Sequence, residues 1–91
     1  MTFKMAWALA AEHVDEWTGD DVIRAATVLS ERVEAAVSES GMAADAQEHF
    51  LKTFLAPVQD GVLAAGKAAV EAGRDWSRAA GPLLVVLAPA A

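Results

Sequence analysis

Residues 51–83 read LKTFLAPVQDGVLAAGKAAVEAGRDWSRAAGPL, and apolar side chains recur along them at alternating steps of four and three residues. This spacing is typical of a long helix that lays one narrow stripe against a partner helix. The stripe consists of Leu51, Leu55, Val58, Val62, Ala65, Ala69, Ala72, Trp76, Ala79 and Leu83. We therefore predict a long helix over about residues 43–80, in a protein that works by helix-to-helix packing.

The N-terminal part carries a second stripe with the same spacing, which predicts a first helix over about residues 3–16. This stripe consists of Phe3, Trp7, Ala10, Val14 and Trp17. The apolar track restarts one residue out of phase at Val22, and Thr18 followed by Asp21 resembles a helix-capping pair. We therefore expect a break near residues 17–19 and a second helix over about residues 19–38.

Turn-forming and helix-breaking residues divide the rest of the chain. Gly41 follows two serines and predicts the loop between the second and third helices. Pro57 lies inside the third helix and predicts a kink near residues 53–57. Gly81-Pro82 predicts the end of that helix and leaves an apolar tail over residues 82–91. The expected fold is all-α: one domain over residues 1–91, a helical hairpin or three-helix bundle with one long kinked C-terminal helix.

Composition and charge restrict the class of protein. The chain has 91 residues, no cysteine and 55% hydrophobic residues, so its stability depends on apolar burial, within the chain or against another copy or partner. The formal charge is −6: residues 1–48 hold ten acids and three bases, and residues 49–91 hold three acids and four bases. An acidic surface repels nucleic acid and anionic membranes, and the tail is too short to span a membrane. We expect a soluble protein, cytoplasmic or exported without a cleaved signal peptide, that binds no nucleic acid.

Side chains that could carry a reaction or hold a metal form no complete motif. A di-iron bundle needs Glu-x-x-His pairs, whereas Glu48 and His49 are adjacent and would point apart on a helix. Glu12, His13 and Glu16 offer a second, partial cluster of ligands. The chain also lacks a Gly-x-Ser-x-Gly turn and a glycine-rich phosphate loop. We therefore predict no metal, no cofactor and no enzymatic activity.

The three tryptophans all fall on the apolar stripes, where they either fill the core or anchor a partner, since tryptophan is enriched at interface hot spots. One helix cannot bury two apolar stripes inside so small a bundle, so we expect a homo-oligomer or a complex with a helical protein partner. The predicted interface residues are Trp7, Trp17, Phe54, Val62, Leu63, Val70, Trp76, Leu83, Leu84 and Val86.

Trp17-Thr18-Gly19 forms a Trp-x-Gly triplet in an acidic, cysteine-free chain. The pattern resembles the WXG100 group, the ESAT-6-like small type VII secretion proteins, and residues 45–80 look like the second helix of that group. The resemblance implies a helical hairpin that pairs as a dimer and acts as a secreted protein or as the partner of a larger secreted protein. The family places this triplet at the tip of its helical hairpin, whereas here it lies near the N-terminus and the expected tip is Ser40-Gly41. The family's C-terminal Tyr-x-x-x-Asp/Glu signal is missing, because the chain has no tyrosine.

Two other functions fit an interaction module of this size and charge. One is a structural or assembly protein of a bacteriophage virion, whose apolar tail over residues 82–91 docks on a neighbouring subunit. The other is a small acidic chaperone or regulatory adaptor, whose acidic half shields a basic client. The sequence leaves these alternatives open, together with the identity and stoichiometry of the partner.

Overall fold

The computed structural model describes residues 2–90 and shows a four-stranded antiparallel sheet with two helices packed on one of its faces. The chain forms β1 (Phe3–Leu9), β2 (His13–Gly19), α1 (Val22–Glu39), α2 (residues 44–71), β3 (Trp76–Ala80) and β4 (Leu83–Pro89). The spatial order of the strands is β2-β1-β4-β3. The protein is therefore α+β, and the predicted all-α helical bundle is wrong.

The first predicted helix is a β-hairpin. Strand β1 buries alternate side chains, Phe3, Met5, Trp7 and Leu9, against the helices. Two members of the predicted helical stripe, Phe3 and Trp7, are four residues apart, and a step of four fits the strand period of two as well as the helix. The residues of β1 that alternate with the buried ones are Lys4, Ala6 and Ala8, and only Lys4 is polar, so the strand lacks most of the polar alternation by which a half-buried strand is recognised.

The turn between β1 and β2 also lacks the usual sequence signal. Ala10 and Ala11 both adopt left-handed backbone conformations, with φ of 54° and 60°, and the Glu12 N–H donates to the Leu9 carbonyl across 3.1 Å. Glycine or asparagine normally occupies such positions, because the left-handed conformation disfavours a β-carbon by about 1–2 kcal/mol per residue. Asn-Gly at these positions would have indicated a hairpin, whereas two alanines indicate a helix.

The long predicted C-terminal helix ends much earlier than residue 80. Helix α2 stops at Glu71, and the chain returns as a second hairpin, β3 and β4. Gly81, with a φ of 55°, stands first in the two-residue turn of this hairpin, where a glycine suits a type II′ turn. The predicted apolar tail is strand β4, which lies at the centre of the sheet beside β1; its last residue, Ala91, lies outside the described residues.

The two helices cover the sheet with their apolar stripes. Helix α1 begins at an N-cap formed by Asp21, whose carboxylate accepts from the Ile23 and Arg24 N–H groups, instead of the predicted Thr18 cap. Helix α2 continues through Pro57; just before it, the turn over Leu51–Leu55 widens, and the Ala56 N–H donates to the carbonyl five residues back. A wider turn accommodates the proline ring and its missing N–H. Neither helix in residues 2–90 is long and apolar enough to cross a membrane.

The core lies between the helices and one face of the sheet. We call this the covered face; its central side chains are Phe3, Met5, Trp7, Leu9, Leu83, Val85 and Leu87, none more than 7% exposed. The helices contribute Val22, Ala25, Ala26, Val28, Leu29, Val33, Val37, Leu55, Val58, Val62, Ala69 and Val70. No polar or charged side chain of the described residues is buried, so the interior is entirely apolar and non-directional hydrophobic burial holds the two layers together.

Candidate interaction surface

The second face of the sheet has no helix on it, and we call it the open face. The strand register arranges its side chains in three rows that cross the sheet. From β2 to β3, the first row is Val14, Ala8, Leu84 and Ala79, the second is Glu16, Ala6, Val86 and Ser77, and the third is Thr18, Lys4 and Ala88. The first row is therefore wholly apolar, the second is half polar, and the third is polar except for Ala88.

The open face leaves large aliphatic side chains in solvent. Val14 is 73% exposed and Leu84 is 43% exposed, and both stand in the first row. Between them runs a shallow groove of about 120 Å³ lined by Ala6, Ala8 and Val86 as well. Large contiguous apolar patches on soluble proteins are often sites of association, so the open face is the candidate surface.

Charge is nearly absent from the open face, although the chain as a whole carries −6. By register, Lys4 and Glu16 are the charged side chains that the described strands place there. They stand on neighbouring strands and pair across 3.3 Å between Nζ and Oε2. The face therefore has no net charge, and the acidic character of the chain belongs to the helices, the loops and the covered side of the edge strands.

A tryptophan on each edge strand closes the core at its sides. Trp17 lies half-buried on β2, edge-on to the Phe3 ring with 5.8 Å between the ring centroids. Its indole lies over Gly19, where a β-carbon would come within 2.2 Å of the ring. The Trp-x-Gly triplet therefore has a local packing role on an edge strand, at a place unlike the helical-hairpin tip that the family resemblance implies.

On the opposite edge, Trp76 of β3 lies against α2 at two glycines. A β-carbon on Gly61 would come within 2.9 Å of the Trp76 indole, and one on Gly66 would come within 2.9 Å of Leu87 and 3.2 Å of the indole. The glycines in this helix therefore allow the close approach of a tryptophan and a core leucine. Without these small residues, α2 could not lie as near to the sheet.

The ten predicted interface residues separate into three groups. Trp7, Val62, Val70 and Leu83 are buried in the core, and Trp17, Phe54, Trp76 and Val86 are half-buried. Leu63 and Leu84 are exposed, but Leu63 lies on α2, away from the sheet. Of the ten, the structure brings only Leu84 and Val86 together on the open face. Sequence reasoning missed the other apolar members of that face, Ala6, Ala8, Val14, Ala79 and Ala88.

A groove between β2 and α1 is lined by titratable side chains, among them Asp15 and Arg32. The Arg32 guanidinium lies 5.6 Å from the centroid of the Trp7 ring and forms an ion pair with Asp15. The Glu16 backbone N–H and the Arg32 side chain both donate to the Asp15 carboxylate, and these bonds hold its pKa below the ordinary value of 3.8. The pair is exposed and links β2 of the hairpin to helix α1.

The partial ligand clusters suggested by the sequence do not come together. Within residues 2–90, no group of three His, Asp or Glu side chains lies close enough to hold a metal ion. Glu12, His13 and Glu16 are spread along a turn and an edge strand, and the His49 ring contacts Thr53, with 3.4 Å between Nε2 and Oγ1. The geometry therefore leaves the open face as the candidate surface and shows no assembled metal centre among the described residues.

The chain matches no protein-family model, and no curated protein or solved structure is significantly similar to it. Interpretation of the open face therefore rests on its geometry and chemistry.

Proposed function

We propose that this chain is a non-enzymatic protein–protein interaction module whose binding surface is the open face of its sheet. The observation that carries the proposal is that the central strands β1 and β4, apart from Lys4, carry apolar side chains on both faces of the sheet while the helices cover only one face. Antiparallel sheets in solution commonly alternate between a buried apolar face and a solvated polar one. A second apolar face is expected where another protein covers it.

This proposal replaces helix packing with sheet packing as the mode of association. The apolar stripes of the helices are already buried within the molecule, where Val58 and Val62 of α2 and Leu29 of α1 pack against the sheet. The proposal also does not rest on the resemblance to small type VII secretion proteins, because the helical hairpin that it implies is not the fold of this chain.

The test compares two leucines of similar exposure on opposite sides of the molecule. Leu84, 43% exposed, stands on the open face, and Leu63, 40% exposed, stands on α2. The tagged chain is recovered from its own cells, the associated protein is identified and purified, and its affinity for each variant is measured by calorimetric titration. We expect Leu84→Lys to weaken binding at least about tenfold and Leu63→Lys to change it less than about twofold, because a charge in the centre of an interface lacks a partner.

The outcome decides between the open face and the helices. If Leu63→Lys weakens binding and Leu84→Lys does not, the helical side is the binding surface and the proposal is wrong. The identity of the partner separates the remaining roles: virion proteins indicate an assembly component, a single client indicates an adaptor, and the chain itself indicates self-association.

A further inference from the structure

We infer that the occupant of the open face is a second copy of this chain, packed sheet to sheet and related to the first by a two-fold axis. The axis lies between the two sheets, parallel to the strands, along the midline between β1 and β4. This inference rests on the proposed function, because it assigns the partner of the same surface. It follows from three properties of that surface: the charge, the pattern of side-chain sizes and the area.

The charge of the open face favours a neutral partner. Its two charged side chains, Lys4 and Glu16, already pair with each other, so the face offers no net attraction to a basic protein and no net repulsion to another copy of itself. A basic client would be drawn to the acidic groups elsewhere on the chain. Two copies brought together by their open faces keep those acidic groups on the outside of the pair.

The sizes of the side chains are complementary under the proposed axis. The axis keeps each row in place and exchanges β1 with β4 and β2 with β3, because the strand order β2-β1-β4-β3 reads the same from either side of its centre. Leu84 of one copy then stands over Ala8 of the other, and Val86 stands over Ala6. At the edges, Val14 stands over Ala79. Every large aliphatic side chain thus meets a small one, as in packed sheets about 10 Å apart.

The alternative two-fold axis, in the plane of the face but perpendicular to the strands, is unfavourable. It reverses the rows, so that the apolar first row meets the polar third row. Val14 would then face Thr18, Val86 would face Val86, and Glu16 would face Glu16. Lys4 faces an alanine under either axis, but only the perpendicular axis brings two valines and two like charges against each other, so the axis parallel to the strands is the better arrangement.

The area of the face predicts a weak, reversible dimer. Strands about 4.8 Å apart and seven residues long give a face of about 19 by 23 Å, or about 440 Å² per copy and about 900 Å² in the pair. Stable interfaces bury about 1,200–2,000 Å², and smaller ones belong to transient complexes. Dimerisation is therefore expected to depend on concentration, and a pair this small dissociates on dilution.

The first experiment is sedimentation equilibrium of the wild-type chain between about 5 and 500 µM, a range suited to a weak interface, together with Leu84→Lys and Leu63→Lys. Both substitutions change the net charge from −6 to −5, so a loss of association cannot be ascribed to greater repulsion. We expect a dimer whose dissociation constant rises at least about tenfold in Leu84→Lys and less than about twofold in Leu63→Lys. Circular dichroism and cooperative urea unfolding at low concentration verify that each variant is folded.

A second experiment tests the axis itself by mixing Val14→Lys with Ala79→Glu. Within one chain these residues lie on opposite edges of the sheet, so they cannot pair with each other. Across the proposed axis, the lysine introduced at position 14 of one variant meets the glutamate introduced at position 79 of the other. We expect each variant alone to dimerise at least about fivefold more weakly than the wild type, and the mixture to form a heterodimer at least about fivefold tighter than either homodimer.

Each negative result overturns a defined statement. A mixture that recovers no association rules out the axis parallel to the strands, because the perpendicular axis places Val14 over Thr18. A wild-type chain that stays monomeric up to about 500 µM, beyond the range of weak specific interfaces, rules out a second copy as the occupant. That last result leaves the proposed function standing, since the titration of Leu84→Lys against a purified partner decides it separately.

Discussion

The central strands of the sheet present apolar side chains to both the covered and the open face, apart from Lys4, and on β1 the two faces differ mainly in the size of those side chains. The covered face presents Phe3, Met5, Trp7 and Leu9 on β1, whereas the open face of the same strand presents only Lys4 and two alanines. Large side chains bury enough area to hold the helices, because hydrophobic stabilisation scales with the area removed from water. Small ones keep the second face flat, which suits contact with another flat surface but adds little stability within the monomer.

The largest expected difference between the faces lies at two consecutive residues of β4. Leu83 is fully buried on the covered face and Leu84 is 43% exposed on the open face. Leu83→Ala is expected to lower the free energy of unfolding by about 2–5 kcal/mol, because it leaves a cavity. Leu84→Ala is expected to lower it by less than about 1 kcal/mol in the monomer. Urea unfolding at low protein concentration measures both values, and equal effects would mean that the two faces are equally buried.

A second test adds atoms to each face instead of removing them. Gly66→Ala places a β-carbon within 2.9 Å of Leu87, which is fully buried and has no room to move. We expect a net loss of about 1–2 kcal/mol, since overpacking outweighs the gain of about 1 kcal/mol in helix propensity. Its counterpart, Ala8→Val on the open face, is expected to change stability by less than about 1 kcal/mol. Thermal unfolding of the two variants would contradict this difference if Gly66→Ala were the more stable.

The turn that joins β1 to β2 determines which residues of the hairpin reach each face, because turn geometry fixes strand register. Replacing Ala10 by Asn and Ala11 by Gly relieves the left-handed strain at both residues, whose φ values are 54° and 60°. We expect the double variant to be about 1 kcal/mol more stable than the wild type, with its open face unchanged. A loss of stability in urea unfolding would show that the alanines are not strained.

The smallest expected effect concerns the ion pair between Asp15 of β2 and Arg32 of α1. The pKa of Asp15 is lowered in the folded protein, first by the Glu16 N–H and then by Arg32. The resulting stabilisation is present above the ordinary pKa of 3.8 and is lost as the pH falls through the lower, folded value. Asp15→Asn should therefore flatten the dependence of the unfolding midpoint on pH below 3.8. An unchanged slope in Asp15→Asn would contradict the stabilisation of the Asp15 carboxylate by these two donors.

Periodicity located the helices but missed the strands, for identifiable reasons. The expected helix over residues 19–38 corresponds to α1 (Val22–Glu39), and the one over residues 43–80 contains α2. Both hairpins were missed because apolar residues on the open face, alanines in β1 and mainly Leu84 and Val86 in β4, removed the polar alternation of a strand. Steps of four, such as Ala72 to Trp76, fit either period, so the stripe ran on past the end of α2 into β3. A sequence with an Asn-Gly turn in place of Ala10-Ala11 would have revealed the first hairpin.

The candidate surface could be only partly predicted for the same reasons. Leu84 and Val86 were identified as interface residues, but as members of an apolar tail and not of a central strand. Val14 was assigned to a helical stripe, and the alanines of β1 carried no signal, because an alanine fits a helix interior, a core and an open sheet face equally well. Only the register between β1 and β4 places these residues on one surface.

The pairing of β1 with β4 also determines when the chain can fold during synthesis. Phe3 pairs with Pro89 across almost the whole described chain, so the sheet cannot close until β4 has left the ribosome. Until then the apolar side of β1 has only its own hairpin and the helices to cover it, and closing so long a loop makes the final step slow. A message truncated before codon 83 would release a chain in which strand β1 keeps one edge unpaired, and an unpaired edge is prone to aggregate.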